Sequence, residues 1–126
     1  MRTGLFPIMA LAACAGVSAP VEGGAVVYGG VETRLLDGDL VNFIVRTSGA
    51  ASEDDTLAYA ECAAAQYTLI RGFAFARQIR TTIQPDGAGL MADAVYTISP
   101  DLPRGSRTID AEVTVASCDL SGIPTV

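Results

Sequence analysis

The sequence predicts an α+β fold: a mostly antiparallel five-stranded sheet in the order ββαβββ, with one helix packed on one face. Three observations lead there. An alanine-rich run after Ser52 carries helix start and stop signals and ends at Gly72. Asp37 and Gly38 form a favoured turn between two β-prone runs. Beyond Gly72 the chain alternates large apolar and polar residues in runs separated by turn residues. Connections this short favour antiparallel pairing. With 126 residues, half of them hydrophobic, the chain suits one domain with a modest core.

Residues 31–47 read as a hairpin closed by Asp37 and Gly38. In its second strand Val41, Phe43 and Val45 mark one face and Leu40 and Ile44 the other, which predicts a central strand apolar on both sides. Ser52 opens the helix with Asp55 three residues on, the spacing of a capping box, and Asp54 is a rival cap. Glu53, Asp54 and Asp55 place negative charge at the positive end of the helix dipole. At about 100° per residue, Ala58, Tyr59, Cys62, Ala63, Ala65, Leu69 and Ile70 share one face, with Glu61, Thr68 and Arg71 opposite. So many alanines let the helix lie close on a sheet. Gly72 fits the left-handed position past the helix end.

Phe73, Phe75, Ile79 and Ile83 then share one face of a strand over residues 73–83. Residues 84–89 form a turn, 91–99 a strand with Val95, Tyr96 and Ile98, and 100–105 a loop. Residues 108–116 give the cleanest alternation, with Ile109, Ala111, Val113 and Val115 inward and Asp110, Glu112 and Thr114 outward. One helix cannot cover five strands, so partial exposure or partner contact is expected.

Residues 1–13 carry one positive charge and an apolar run too short to span a bilayer, the layout of an export signal. Leu11, Ala12 and Ala13 directly before Cys14 resemble the lipobox of bacterial lipoproteins. The resemblance implies cleavage before Cys14, a lipid on its thiol and acylation of the new amino terminus. The rival is ordinary secretion with cleavage after Val17, Ser18 and Ala19. The chain thus divides into a lipoprotein signal peptide (1–13), a lipidated cysteine with a flexible tether rich in small residues (14–30), and a single α+β domain (31–126). Ala15 and Gly16 follow the cysteine, with no Asp, which by resemblance to the enteric sorting rule implies the outer membrane, facing the periplasm.

With Cys14 lipidated, Cys62 and Cys118 remain as an even pair in an oxidising compartment, so they are expected to form a disulfide. A bond between them should pin the helix to the end of the last strand. Strict alternation would point Cys118 away from the core, so that strand must end or bulge first. A free, buried Cys62 is the alternative.

All eight basic residues are Arg and the net charge is −6, which argues against nucleic acid and gives no attraction to anionic headgroups. Without His, no nucleophile–His pair forms, and two cysteines alone offer too few ligands for a metal. No phosphate loop or dinucleotide fingerprint is present, so no cofactor is expected. Adjacent Asp54 and Asp55 diverge on a helix and read as caps rather than an acid/base pair. Two residues break the pattern. Gln66 projects near the middle of the apolar helix face, as a core hydrogen-bonding group or as the lining of a ligand cleft. Arg77 is either a surface ion-pair partner or an anion site. The expected function is a non-enzymatic envelope protein, anchored by lipid and acting by protein contact or structurally. The alternative is a small-ligand or anion-binding module using Gln66 and Arg77.

Over residues 28–83 the chain resembles a family of small uncharacterised lipoproteins of Gram-negative bacteria. The resemblance rests on Gly29, Gly30, Glu32, Arg34 and Leu35, on alternating Val41, Phe43 and Val45, on Ala64, Ala65 and Gln66, and on Gly72 before Phe73 and Phe75. The family pattern has Glu where this chain has Gln66. The resemblance implies an envelope lipoprotein and assigns no activity.

Overall fold

The structure, a computed structural model, describes residues 25–125. Cys14, the export segment and most of the tether lie outside them. The elements are β1 (Val26–Leu35), β2 (Leu40–Gly49), α1 (Glu53–Ile70), β3 (Phe75–Asp86), β4 (Gly89–Ser99), β5 (Thr108–Asp110) and α2 (Ala111–Ser121). All strand pairs are antiparallel, in the sheet order β1-β2-β4-β3-β5. The class and the five-stranded sheet are as the sequence predicts. The single helix is not: the order is ββαβββα, with a second helix at the end.

The hairpin β1–β2 begins earlier than expected, at Val26, so residues 26–30 belong to the sheet and not to the tether. Gly29 and Gly30, which read as linker composition, instead form a bulge where the register shifts between Tyr28 and Val31. The bulge docks on the helix: the Gly30 N–H donates to the Tyr59 hydroxyl at 3.0 Å, and the Tyr28 and Tyr59 rings meet edge to face at 4.8 Å. Val41, Phe43 and Val45 are fully buried under α1. β2 lies between β1 and β4, and its other face buries Asn42 and Ile44.

α1 has the predicted capping box, with the Asp55 N–H donating to Ser52 Oγ at 3.1 Å and the Ser52 N–H donating to Asp55 Oδ2 at 2.8 Å. Its end is a Schellman motif around Gly72 at φ +76°: Gly72 N–H donates to the Leu69 carbonyl and Phe73 N–H to that of Thr68, both at 2.9 Å. The predicted apolar face needs correction. Thr68 is buried and Ile70 is exposed. Thr68 tolerates burial because its hydroxyl donates to the Ala64 carbonyl at 2.7 Å, leaving its methyl to pack. Thr56 is buried likewise, sharing a 2.8 Å hydrogen bond with Thr47 of β2. The helix is buried on two flanks, the sheet side through Tyr59, Ala60, Ala63 and Ala64, and the α2 side through Cys62 and Ala65.

β3 carries an unforeseen bulge at Ile79, between the pairs Gln78↔Tyr96 and Arg80↔Val95. The bulge flips the inward parity, so Ala76, Gln78, Thr81 and Ile83 face α1 while Phe75 and Arg77 face away. Phe75, Ile79 and Ile83 therefore do not share a face. The hairpin to β4 turns on Gly87 and Ala88 alone. Gly89 then passes so close to β2 that a Cβ would overlap the Thr47 carbonyl oxygen.

The strand expected over residues 108–116 stops after three residues. Asp110 accepts the Val113 N–H at 3.1 Å and starts α2 as its N-cap. Ala111, Val115 and Cys118 then fall at i, i+4 and i+7 on the face toward α1, which resolves the awkward parity of Cys118.

Candidate functional site

Three places on this frame could bind something. The first is the seam between the helices. Cys62 and Cys118 are bonded there, with Cα atoms 6.0 Å apart. The bond joins the middle of α1 to α2, rather than to the end of a strand. Beside it opens a cleft of about 560 Å³ lined by Gln66, Leu69, Glu112, Val115, Asp119 and Ile123. Gln66 is thus not a core residue beneath the helix; it is half-buried on the α2 flank.

The second place is the sheet face opposite the helices. Arg34, Arg46, Arg77 and Arg80 all project from it, by the alternation that sends Val41, Phe43, Ala76 and Tyr96 to the core. Arg34 pairs with Glu32 at 2.7 Å, and Arg46 with Asp86 and Arg80 with Asp93, both at 3.3 Å. Asp93 also accepts from the Asn42 amide at 2.7 Å. Exposed pairs like these are worth at most about 1 kcal/mol each. Arg77 donates through Nε to the Ser106 carbonyl at 3.2 Å, which fastens the β4–β5 loop to the sheet. Between these charges Ile44 and Val95 are buried, flanked across strands by Glu32, Asp93, Asn42 and Arg80. Arg77 and Gln66 lie on opposite sides of the sheet, so the shared cleft expected of them does not exist.

The third place was not foreseen. A cleft of about 310 Å³ runs between α1 and the sheet, lined by Asp54, Leu57, Ala58, Glu61, Gln78 and Tyr96. Helical spacing alone would place Glu61 on the solvent side of α1. The bulge at Ile79 is what turns Gln78 inward beneath it. Burial pushes the Glu61 carboxyl above its ordinary range. Burial, reinforced by the nearby Glu61 charge, pushes the Tyr96 phenol up as well. Tyr59 is raised by burial, opposed by its bond from Gly30, and Asp55 is lowered by its bonds from the Ser52 N–H and hydroxyl. The sequence separates Ala58 and Glu61 onto opposite faces and makes Asp54 a cap, whereas all three line this cleft with Gln78 of β3 and Tyr96 of β4.

Among the described residues no three His, Cys, Asp or Glu side chains gather as metal ligands, and no helix is long and apolar enough to cross a membrane.

The chain is similar to an uncharacterised 26.9 kDa protein in the nqo8 5′ region of Paracoccus denitrificans, at 30% identity over 101 residues. That similarity takes in 80% of this chain and 40% of the relative, so the chain spans about two fifths of the relative's length. No solved structure matches the chain. The model of the YNQ4 C-terminal domain matches residues 28–122, from the start of the β1 bulge region to the glycine that ends α2. A match over the whole sheet and both helices makes this chain a member of the YNQ4 C-terminal domain family.

Proposed function

We propose that this protein is a non-enzymatic, lipid-anchored component of the cell envelope, held at the outer membrane through Cys14 and facing the periplasm, that acts by contact with another envelope protein. The observation that carries the reading is the open sheet face. Both helices occupy one side, leaving Arg34, Arg46, Arg77 and Arg80 around the nearly enclosed Ile44 and Val95 on the other. Arginine set among apolar side chains is the composition that protein interfaces favour. The Cys62–Cys118 bond supports an oxidising compartment. The test has two arms in native cells. Cys14→Ser should release the protein from the membrane fraction. A photo-crosslinker at Thr82, on the open face, should give a discrete adduct that one at Ala116, on α2, does not. Retention of the Cys14→Ser protein would remove the anchor, and equal labelling from both positions would remove the contact face.

A second reading, small-ligand binding, is favoured by the cleft of about 560 Å³ at Gln66. Its mixture of an amide, two carboxylates and apolar walls has the composition of small-molecule sites.

A further inference from the structure

We propose that the cleft between α1 and the sheet is a binding site for a short aliphatic amine in its cationic form, seated on Glu61, Tyr96 and Gln78. The proposal is independent of the sheet-face contact and of the Gln66 cleft.

The first observation is an uncompensated acid. Glu61 is half-buried, and no Arg of the described residues lies within ion-pairing reach of it. Every salt bridge among the described residues is on the far side of the sheet. A carboxylate half-withdrawn from water with no cation beside it has lost part of its hydration and gained no charge partner in exchange.

The second observation is independent. Tyr96 is only 4% exposed, yet its side chain lines the cleft and its hydroxyl has no hydrogen-bond partner among the described residues. The ring is buried but the hydroxyl oxygen is not sealed off, so it opens to the cleft, where a ligand can reach it. The third concerns Gln78, whose Nε2 is occupied by Thr81 Oγ1, leaving its carbonyl oxygen to accept.

The cleft is therefore rich in acceptors: a carboxylate, an amide carbonyl and a phenolic oxygen. An alkylammonium group carries three N–H donors and one positive charge, and can satisfy all three at once. The remaining wall is apolar, made of Leu57, Ala58 and the Tyr96 ring, which suits a methylene chain. Asp54 stands two turns up the helix, roughly 10 Å along the axis from Glu61. A second ammonium at the far end of a four- or five-carbon chain would approach it. An aliphatic diamine thus uses more of the site than a monoamine. A divalent metal is disfavoured, because two carboxylates this far apart cannot share an ion.

The experiment is titration of the purified full chain by calorimetry and by amide NMR, with cadaverine, n-butylamine, pentane-1,5-diol and Ca²⁺ as probes. Cadaverine should bind and shift the amides of residues 54–61, Gln78 and Tyr96. Butylamine should bind several-fold more weakly, and the neutral diol not at all. Glu61→Gln should lose at least tenfold in cadaverine affinity, and Tyr96→Phe several-fold. Asp54→Asn should weaken cadaverine to the level of butylamine while leaving butylamine unchanged. The proposal is overturned if Glu61→Gln, folded by its NMR spectrum, binds cadaverine as the parent does. It is equally overturned if the diol binds as well as the diamine, if only Ca²⁺ shifts these amides, or if neither amine shifts them in the unsubstituted chain.

Discussion

The two helices lie side by side and are held by different means. α1 is 18 residues long, buried on two flanks, hydrogen-bonded to β1 and β2 through Tyr59 and Thr56, and closed at both ends by its own caps. α2 has 11 residues, of which only Ala111 and Cys118 are buried, while Val113 is 66% and Leu120 90% exposed. Packing against the sheet fixes the first; the second touches the rest of the domain along one narrow stripe, with a covalent bond near its end. The lesson is that a disulfide can take the place of a core where the chain has too little apolar surface left to bury.

The largest expected effect tests that substitution directly. Reduction, or replacing both Cys62 and Cys118 by Ala, should lower unfolding stability by roughly 4 kcal/mol on the loop-entropy account. Amide exchange should show α2 losing protection while α1, β2 and β4 keep theirs. Simultaneous loss in both helices would mean that α2 is part of the same cooperative unit and would end the contrast.

A smaller effect sharpens the description of α1. Gly72→Ala should cost about 1 kcal/mol in denaturant unfolding, because the left-handed conformation is unfavourable for a residue with a Cβ. Nothing lies within 4 Å of where that Cβ would sit, so the cost is conformational rather than steric. A neutral result would show that the helix end relaxes freely.

The smallest effect is linked to pH. Asp55 has a folded pKa lowered by its bonds from Ser52, below the ordinary value of 3.8. Its contribution is present above that value and is lost as pH falls through the lowered one. Glu61 has the opposite sign: its raised pKa means that stability present below 4.5 is lost as pH rises through the folded value. Urea midpoints from pH 3 to 7 should therefore fall less steeply on acidification for Asp55→Asn than for the parent. Superimposed curves would remove the capping carboxylate from the stability of α1.

What was legible in the sequence follows the same division. The cap, the glycine stop and the alternation in β2 are local signals, and each appears where the residues say it should. α2 was hidden because residues 109–115 satisfy two periods at once: Ile109, Ala111, Val113 and Val115 alternate, while Ala111, Val115 and Cys118 follow a helix. Asp110 decides between them as a cap, a role indistinguishable in sequence from an outward polar strand residue. The bulge at Ile79 was hidden for a similar reason, since its neighbours 75 and 83 keep even spacing on either side of a parity change. Both clefts are products of these two hidden features. The Gln66 cleft needs α2 as its second wall, and the Glu61 cleft needs the bulge to turn Gln78 inward.

The brevity of β5 has a consequence for how copies of this protein coexist. It covers β3 only from Phe75 to Arg77, and along the rest of that edge, to Asp86, no strand of the described residues pairs with β3. An open edge of that length is a template for a neighbour's strand, and polymerisation along it would be irreversible in practice. Two residues blunt it. The bulge at Ile79 breaks the regular spacing of donors and acceptors at one end. At the other, Pro85 pairs with Leu90 one step from the two-residue turn, a position where its nitrogen faces outward and has no hydrogen to offer. The β3 edge is therefore a poor template for a neighbour's strand even where copies of the domain are crowded together.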